Sequence, residues 1–343
     1  MNIEELIRPD LIGMKAYSSA RDEFEGTASI FLDANENPNN NGVNRYPDPL
    51  QKNLKNRISQ WKGVSANKIF LGNGSDECID LMFRLFCSSG KDEVAAMSPS
   101  YGMYAVSARI NNIQLREIIL NEDFTFPTEK IIQESKGAKL LFLCSPNNPT
   151  GFSIPLAEIE TALKSFDGIV IVDEAYIDFS SQKSVVSFLS DYPNLVVCQT
   201  LSKAVGLAGI RLGMLFASEE IVSWLNKIKP PYNINQLTQE FALNYLQKIE
   251  EIEFQTEEIK TERNLLEKAL IEFPFVEQLY SSDANFILAR IDDANKLYVY
   301  LISLGIVVRN RSTQVLCQNT LRFTVGTKEE NNKLINALTQ YKK

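Results

Sequence analysis

One lysine lies among residue types that together suit a ligand carrying an aldehyde and a phosphate. Lys203 follows an apolar strand and the hydroxyls of Thr200 and Ser202, and a glycine-containing loop then leads to Arg211. Burial lowers the pKa of a lysine, and a neutral amine can form a Schiff base with an aldehyde. A serine hydroxyl and an arginine guanidinium can both bind phosphate. Pyridoxal phosphate carries both groups, although the same spacing alone is also typical of a surface lysine in a glycine-rich turn.

A second stretch of the chain has the geometry of an anion site. The short strand Ile69–Leu71 runs into Gly74, Ser75 and Asp76, and an apolar helical run follows. A strand, a glycine turn and a helix N-terminus bring free backbone N–H groups to one point, where a phosphate can bind. An ordinary helix start capped by Ser75 or Asp76 explains the same residues about equally well.

The elements that must position these residues alternate between strands and helices. Helical segments such as Leu156–Phe166 lie between several of the predicted strands. These strands are Ile69–Leu71, Glu93–Met97, Ile113–Leu120, Leu140–Cys144, Ile169–Val172 and Leu195–Cys198. The alternation predicts the α/β class, with a large domain whose mostly parallel central sheet is flanked by helices. Ligands of such folds bind at the carboxyl ends of the strands.

Polar residues follow three of these strands directly. Asn148 follows the fourth predicted strand and Lys203 the sixth. Asp173 and Tyr176 follow the fifth. Each has an ordinary alternative, as a turn residue for Asn148, a helix cap for Asp173 and part of the core rim for Tyr176. Because all of these alternatives would have to hold together, the cluster indicates one site at one edge of the sheet.

We divide the chain into three parts. Residues 1–45 form an N-terminal arm and connector with an asparagine-rich turn and a short helix near Asn2–Arg8, and residues 46–235 form the large domain. Residues 236–343 comprise linking helices and a smaller α+β C-terminal domain. The predicted elements of that domain are the strands Phe286–Ile291, Ile306–Val308 and Leu321–Val325 and the helices Ala294–Leu304 and Lys328–Tyr341.

Composition excludes several classes of function. The chain has 343 residues, 44% hydrophobic and 23% charged, and its net charge of −8 argues against broad nucleic-acid binding. It contains no histidine, which excludes Ser-His-Asp and Cys-His catalysis and histidine-ligated zinc. The five cysteines lack metal-ligand spacing and are expected to be reduced. With neither the pattern of a signal peptide nor an apolar run of membrane length, we expect a cytoplasmic protein without a metal site.

The chain resembles the fold-type I, class I and II aminotransferases that use pyridoxal phosphate, and within them the histidinol-phosphate branch. The similarity extends over nearly the whole chain. It is carried by the segments 16–21, 33–36, 45–47, 74–77, 101–104, 145–151, 173–176, 200–213 and 321–327. The first and the last of these segments point to that branch.

The resemblance implies a role for each residue of the predicted site. Lys203 is expected to hold the cofactor as a Schiff base, and Asp173 to pair with its pyridine nitrogen. Asn148 and Tyr176 are expected to donate to the oxygen of the ring hydroxyl, and Tyr101 to stack on the ring. The cofactor phosphate is expected to bind in a cup formed by Gly74, Ser75, Asp76, Ser202 and Arg211.

The resemblance also implies shared active sites and contacts to substrate. Tyr46 resembles a tyrosine that reaches the cofactor phosphate of the partner subunit, which implies a homodimer in which the N-terminal arm packs with the smaller domain and the partner subunit. Tyr17, Arg309 and Arg322 resemble contacts to the anionic groups of the substrates. The other partners would be small molecules, histidinol phosphate and glutamate or 2-oxoglutarate, with neither nucleic acid nor membrane involved.

The activity that the resemblance implies belongs to histidine biosynthesis. Such an enzyme interconverts L-histidinol phosphate and 2-oxoglutarate with imidazole acetol phosphate and L-glutamate, and one lysine serves as anchor, base and acid. A related enzyme with another substrate, an aromatic aminotransferase or a threonine-phosphate decarboxylase, would share every cofactor residue. A regulator that binds pyridoxal phosphate would add a DNA-binding domain, and no basic recognition helix precedes residue 45.

Overall fold

The computed structural model describes residues 2–17 and 29–342. Within these ranges the largest element is a seven-stranded sheet with the strand order β1-β7-β6-β5-β4-β2-β3. Its strands are β1 (Ile69–Asn73), β2 (Glu93–Ser98), β3 (Gln114–Ile119), β4 (Leu140–Cys144), β5 (Ile169–Asp173), β6 (Leu195–Thr200) and β7 (Leu212–Phe216). Strands β2 to β6 form a parallel set, whereas β7 is antiparallel to both β1 and β6.

Apolar runs explain why this sheet lies inside the molecule. Every residue of β4, β5, β6 and β7 is buried, as is typical of strands that are covered on both faces. The helices that accompany the sheet are α1 (Lys52–Lys62), α2 (Gly74–Phe86), α3 (Met103–Ile110), α4 (Thr128–Glu134), α5 (Leu156–Ser165) and α6 (Glu219–Ile228). The predicted α/β class with a mostly parallel central sheet is confirmed.

Strand β7 is absent from the predicted strands, because the glycine-containing sequence before and within it is typical of a turn. A Cβ at Gly213 would lie 2.3 Å from the carbonyl carbon of Gly74, so the two backbones can approach only because residue 213 is glycine. The Gly74 N–H donates to the carbonyl oxygen of Arg211 at 2.9 Å. Strand β7 thereby holds the start of α2 beside the loop that contains Lys203.

A smaller antiparallel sheet occupies the C-terminal part of the chain. Its strands are β8 (Val276–Tyr280), β9 (Phe286–Ile291), β10 (Arg309–Asn310) and β11 (Thr320–Thr324), in the order β10-β11-β9-β8. The helices of this part are α7 (Gln236–Tyr245), α8 (Ile249–Leu270), α9 (Ala294–Ser303) and α10 (Lys328–Gln340). Helix α8 joins the two halves, since Ile252 is buried in the main core and Leu266 in the core of the smaller sheet. Among the described residues, no helix has both the length and the apolar character needed to span a bilayer.

The strand predicted at Ile306–Val308 is displaced in the structure. Pairing with β11 involves Arg309 and Asn310 instead, and Val307 is 81% exposed. The apolar residues that suggested a strand therefore precede the ladder. This register places Arg309 directly opposite Arg322.

The N-terminal segment contains two short 3₁₀ helices, Glu4–Leu6 and Pro9–Leu11, in place of the helix predicted near Asn2–Arg8. Pro9 lacks a backbone N–H, which prevents a helix from continuing through it. Buried Ile7 nevertheless anchors the segment to the main core. The arm motif continues into residues 18–21, which lie outside the described residues.

Candidate active site

A cleft opens where the parallel strands end. The ends of β4, β5 and β6 contribute to it, and the first turn of α2 lines one side. Its lining consists of Ser75, Asp76, Tyr101, Cys144, Asn148, Asp173, Ala175, Tyr176, Thr200, Ser202, Lys203 and Arg211. All but Cys144, Ala175 and Thr200 are site residues predicted from the sequence. The structure therefore brings the predicted cluster together.

Asp173 is the last residue of β5 and is only 3% exposed. Its Oδ1 accepts a hydrogen bond from the Ala175 N–H at 3.1 Å, and its Oδ2 accepts one from the Tyr104 hydroxyl at 2.7 Å. Burial raises the pKa of the Asp173 carboxyl, while these two hydrogen bonds act in the opposite direction. No cationic side chain of the described residues forms a salt bridge with it, so the carboxylate suits a cationic group of a ligand.

Lys203 lies three residues beyond the end of β6. Its turn is held by the Leu201 N–H, which donates to Leu212 O at 3.0 Å. The Lys203 Nζ lies 5.5 Å from the centroid of the Tyr176 ring. Burial lowers the pKa of this amine, and repulsion from Arg322 lowers it further, against the attraction of Asp173. A larger share of the amine is therefore neutral at a given pH than in an ordinary lysine.

Asn148 connects the cleft to the smaller sheet. Its side chain is buried, and its Oδ1 accepts hydrogen bonds from Arg322 Nη1 and, at 3.5 Å, from Arg311 Nη2. With the oxygen engaged in this way, the two N–H donors of the amide remain for a ligand. The Nε atoms of Arg311 and Arg322 are buried without a hydrogen-bond partner among the described residues. Two arginines with unused donors indicate that this rim of the cleft binds an anion.

Two tyrosines contribute to the walls of the cleft. Tyr176 packs edge-on against Phe286 with 5.2 Å between the ring centroids, and burial raises its pKa to about 12. Its hydroxyl therefore stays protonated and can donate. Tyr101 donates to Asp76 Oδ1 at 2.9 Å, and burial and this carboxylate both raise the pKa of its phenol.

The first turn of α2 forms the anion-binding end of the cleft. Gly74 has a φ of 77°, a conformation that favours glycine. A Cβ there would also lie 2.6 Å from Arg211 Nη2, so the guanidinium would have to shift. Because the Gly74 N–H already donates to Arg211 O, the donors left for an anion come from the residues after it. Arg211 Nη2 lies 3.5 Å from Asp76 Oδ2, and the Thr200 hydroxyl donates to Ser202 Oγ at 3.0 Å.

Gly74 and Arg322 border this cleft through hydrogen bonds to Arg211 and Asn148, whereas three other predicted residues lie outside it. Tyr46 is 49% exposed and stacks on Tyr232 with 4.3 Å between ring centroids. Tyr17 is 69% exposed at the end of the described part of the arm. Arg309 is exposed and is the cross-strand neighbour of Arg322. The proposed roles of these residues in binding cofactor or substrate stay predictions.

Two residues near the cleft were not among the predicted site residues. Tyr104 lies in α3, three positions after Tyr101, which precedes the helix, but a tyrosine in an apolar helix is usually read as core. Arg311 lies two positions after Arg309, and such spacing along an extended segment places both on one face. The spacing in each pair was therefore an available signal.

The donor set of the cleft fits a specific kind of ligand. An amine with a lowered pKa suits an aldehyde, and a buried carboxylate without a salt bridge among the described residues suits a protonated ring nitrogen. A helix N-terminus beside Ser202 and Arg211 suits a phosphate. Pyridoxal phosphate carries all three groups.

Comparison with known proteins agrees with this reading. The family model of aminotransferase class I and II matches residues 21–338, and the chain belongs to this family. It is accordingly a transaminase that depends on pyridoxal phosphate.

Two relatives that share one name are similar to the chain over nearly its full length. A protein named histidinol-phosphate aminotransferase from Christiangramia forsetii is 56% identical over 342 residues, which are 99% of this chain and 98% of that one. One with the same name from Parabacteroides distasonis is 54% identical over 342 residues, 99% of each chain.

Solved structures show the same fold. The histidinol-phosphate aminotransferase of Clostridium acetobutylicum is similar with a TM-score of 0.80 and 28% identity, covering 86% of this chain and 90% of that one. The enzyme of that name from Sinorhizobium meliloti, in complex with pyridoxal-5'-phosphate, is similar in fold with a TM-score of 0.79 and 21% identity, covering 86% of this chain and 82% of that one.

Proposed function

We propose that this protein is an aminotransferase of histidine biosynthesis, which transfers the amino group between L-histidinol phosphate and 2-oxoglutarate. The products are imidazole acetol phosphate and L-glutamate. The observation that carries the proposal is one cleft that combines a lysine of lowered pKa, a buried carboxylate and an arginine-rich rim. Similarity over the full length to histidinol-phosphate aminotransferases supports the choice of substrate.

Lys203 is the residue to which we assign the proton transfers. When bound, pyridoxal phosphate supplies an electron sink that makes the hydrogen on the substrate Cα acidic. Lys203 Nζ first holds the aldehyde carbon and, once released, takes the proton from the substrate Cα. Its lowered pKa suits this task, because only a neutral amine can accept a proton. The same amine returns a proton to the Cα of the oxo acid in the second half-reaction.

Other residues of the cleft hold and orient the cofactor in this proposal. Asp173 pairs its carboxylate with the ring nitrogen, and the Asn148 amide and the Tyr176 hydroxyl donate to the ring hydroxyl oxygen. The bond from Arg322 to Asn148 Oδ1 supports this role, since it turns the amide donors away from the arginine. Tyr101 covers one face of the ring and excludes water from it.

The phosphate of the cofactor binds at the first turn of α2 in this proposal. The backbone at Gly74, Ser75 and Asp76 approaches it, and Ser202 and Arg211 complete the cup. Asp76 now lies 3.5 Å from Arg211 Nη2, and the phosphate would compete with this carboxylate for the guanidinium. A dianion concentrates more charge than a carboxylate, which favours the phosphate in that competition.

The rim arginines bind the anionic groups of the substrates in this proposal. Arg322, whose Nε has no hydrogen-bond partner among the described residues, binds a carboxylate or a phosphate through its planar fork. Arg311 adds a second guanidinium, while Arg309 and Tyr17 are assigned to the outer part of the pocket. One arginine site can thus serve substrates of different shape.

A comparison of amino donors tests the proposal. Single-turnover rates would be measured with histidinol phosphate, phenylalanine, tyrosine and threonine phosphate, followed by 2-oxoglutarate. We expect the largest kcat/KM with histidinol phosphate, and continuous turnover only when 2-oxoglutarate is present. Release of carbon dioxide from threonine phosphate without an acceptor would identify a decarboxylase instead. A larger kcat/KM with phenylalanine or tyrosine would identify an aromatic aminotransferase.

We also propose a cytoplasmic homodimer with shared sites. Tyr46 supports this, because the residue is half exposed and does not line the cleft of its own chain. The composition and charge of the chain are consistent with a cytoplasmic location.

A further inference from the structure

A tyrosine beneath the cleft contacts the carboxylate that we assign to the cofactor ring. Tyr104 lies in α3 and is only 2% exposed. Its hydroxyl donates to Asp173 Oδ2 at 2.7 Å. Tyr104 does not line the cleft, so it reaches a ligand there only through Asp173.

Packing fixes the position of this hydroxyl. The Tyr104 ring stacks on Phe142 of β4 with 4.8 Å between centroids and an interplanar angle of 20°. Its edge meets the ring of Tyr101 at 5.7 Å and 87°. Burial raises the pKa of the Tyr104 phenol well above its ordinary value, and the neighbouring Asp173 raises it further. The phenol therefore remains protonated and able to donate near neutral pH.

The hydrogen bond favours one protonation state of Asp173. The carboxylate faces charged or titratable groups from several elements: Tyr104 from α3, Cys144 from β4, Asp76 from α2, and Lys203 after β6. Burial and Asp76 favour its protonated form, whereas Tyr104, Ala175 and Lys203 favour the ionised form. A phenol that donates to a carboxylate oxygen stabilises the ionised form relative to the carboxylic acid, and this bond accordingly lowers the pKa of Asp173.

We infer that Tyr104 is a positioning residue for the transamination, which holds Asp173 ionised and oriented toward the ring nitrogen of the cofactor. The inference rests on the role proposed above for Asp173. When the cofactor is bound, one proton can lie either on the ring nitrogen or on the Asp173 carboxylate. The Tyr104 hydroxyl stabilises the carboxylate, so the proton stays on the nitrogen and the ring keeps its full capacity to withdraw electrons. The chain has no histidine that could take this part.

The variant Tyr104→Phe tests the inference, because it removes one oxygen and keeps the ring stacked on Phe142. The dissociation constant of the apoprotein would be measured for pyridoxal phosphate and for its 1-deaza analogue, in which a C–H replaces the ring nitrogen. We expect the variant to bind pyridoxal phosphate roughly tenfold more weakly, as is usual for the loss of a hydrogen bond to a charged group. Binding of the analogue should change by less than about twofold, since it has no ring nitrogen to pair with Asp173.

A matched control removes a different tyrosine hydroxyl. The Tyr300 hydroxyl donates to the Ala337 carbonyl oxygen at 3.0 Å, within the smaller sheet's part of the chain. Tyr300→Phe should leave both dissociation constants unchanged. Equal weakening of both ligands by Tyr104→Phe would show a merely structural role and overturn the inference, as would no change with either ligand.

A second measurement reads the protonation of the ring nitrogen directly, independently of binding affinity. The ¹⁵N chemical shift of ring-labelled pyridoxal phosphate reports whether the nitrogen carries the proton. We expect the shift to move toward the unprotonated value in Tyr104→Phe and not in Tyr300→Phe. A shift identical to that of the parent protein in Tyr104→Phe would overturn the inference. Neither measurement involves an amino-acid substrate, so the choice of histidinol phosphate is tested separately.

Discussion

Burial drives the two central ionisable residues of the cleft in the same direction, toward their neutral forms. It raises the pKa of the Asp173 carboxyl and lowers that of the Lys203 amine. Neutrality suits the role of nucleophile and base that we propose for Lys203, but it does not suit the pairing with a cation that we propose for Asp173. Only at Asp173 do hydrogen bonds from Tyr104 and Ala175 oppose the effect of burial. Asp173 and Lys203 share one buried environment, and the hydrogen bonds to Asp173 explain why its carboxyl can stay ionised while the Lys203 amine is neutral more often.

The substitution Lys203→Ala tests the assignment of the anchor and base. We expect the variant to lose covalent, borohydride-reducible attachment of pyridoxal phosphate. Its turnover should fall by at least ~10²–10⁴-fold from loss of the general base alone. Lys227→Ala serves as the control, because the Lys227 amine lies over the Trp224 ring, 4.0 Å from its centroid, and does not line the cleft. A reducible cofactor adduct that persists in Lys203→Ala would show that another amine holds the cofactor.

At the scale of elements, Glu174 joins strand β6 to the 3₁₀ helix Val185–Phe188. Its carboxylate accepts hydrogen bonds from the Val185 N–H at 2.8 Å, the Ser184 hydroxyl at 2.5 Å and Gln199 Nε2 at 2.9 Å. Burial nevertheless raises the pKa of Glu174 from the ordinary 4.5 to about 7. As the pH rises, the unfolded chain therefore releases the Glu174 proton at a lower pH than the folded protein does.

This difference predicts how stability depends on pH. A carboxyl whose pKa is raised by folding contributes stability below pH 4.5, and this is lost as the pH rises toward about 7. The loss amounts to at most about 3 kcal/mol. In Glu174→Gln this dependence of the unfolding free energy on pH should disappear, because the amide does not titrate. The amide can also donate to Gln199 Oε1, which now has no partner among the described residues.

Urea denaturation of the apoprotein at several pH values between 4.5 and 7.5 measures how the unfolding free energy changes with pH. Glu257→Gln, which removes one carboxylate from the surface of α8, controls for the change in net charge. Parallel curves of unfolding free energy against pH for Glu174→Gln and the parent protein would contradict the prediction.

At the scale of the whole molecule, the cleft depends on both sheets. Arg322 belongs to β11 of the smaller sheet, yet it donates to Asn148, which follows β4 of the larger one. Its guanidinium carbon lies 5.0 Å from the centroid of the Phe286 ring, which fixes its direction. The arginine rim to which we assign substrate binding therefore forms where the two parts of the chain meet.

Arg322→Ala is expected to slow both half-reactions. Truncating one partner of a buried charged group typically costs ~2–5 kcal/mol, and a loss of ~3 kcal/mol is roughly a hundredfold in kcat/KM. Single-turnover kinetics with histidinol phosphate and with glutamate measure the effect. Arg309→Ala provides the comparison, with a smaller loss expected because Arg309 is exposed. Unchanged kcat/KM for both substrates in Arg322→Ala would place the anion site elsewhere.

The proposed homodimer predicts that two inactive variants restore each other. Lys203→Ala and Tyr46→Ala would be mixed, dissociated and reassembled. In the mixed dimer one site combines an intact lysine with an intact tyrosine from the other chain. Random pairing then yields about a quarter of the parent activity. The same proteins mixed without dissociation are the control, and a monomer in light scattering would contradict the model.

The amino-acid sequence by itself determined the local elements and the composition of the cleft. Strands Leu140–Cys144 and Phe286–Ile291 have the bounds predicted from their apolar runs, because a buried strand requires apolar residues along its whole length. The polar residues after β4, β5 and β6 also lie together as predicted. The reason is geometric, since the carboxyl ends of neighbouring parallel strands meet at one edge of a sheet.

Only the tertiary structure decided which distant residues complete the cleft. Strand β7 pairs with β1 and β6, and its Gly213 packs against the backbone of Gly74, a contact that no local pattern around Gly213 reveals. Tyr104 and Asp173 are 69 residues apart in the chain, and Asn148 and Arg322 are 174 apart. Spacing along a sequence specifies which residues share a face of one element. Contacts between elements depend on how whole sheets and helices pack. This packing determined that the Tyr104 hydroxyl contacts the Asp173 carboxylate and that the Arg322 guanidinium contacts the Asn148 amide.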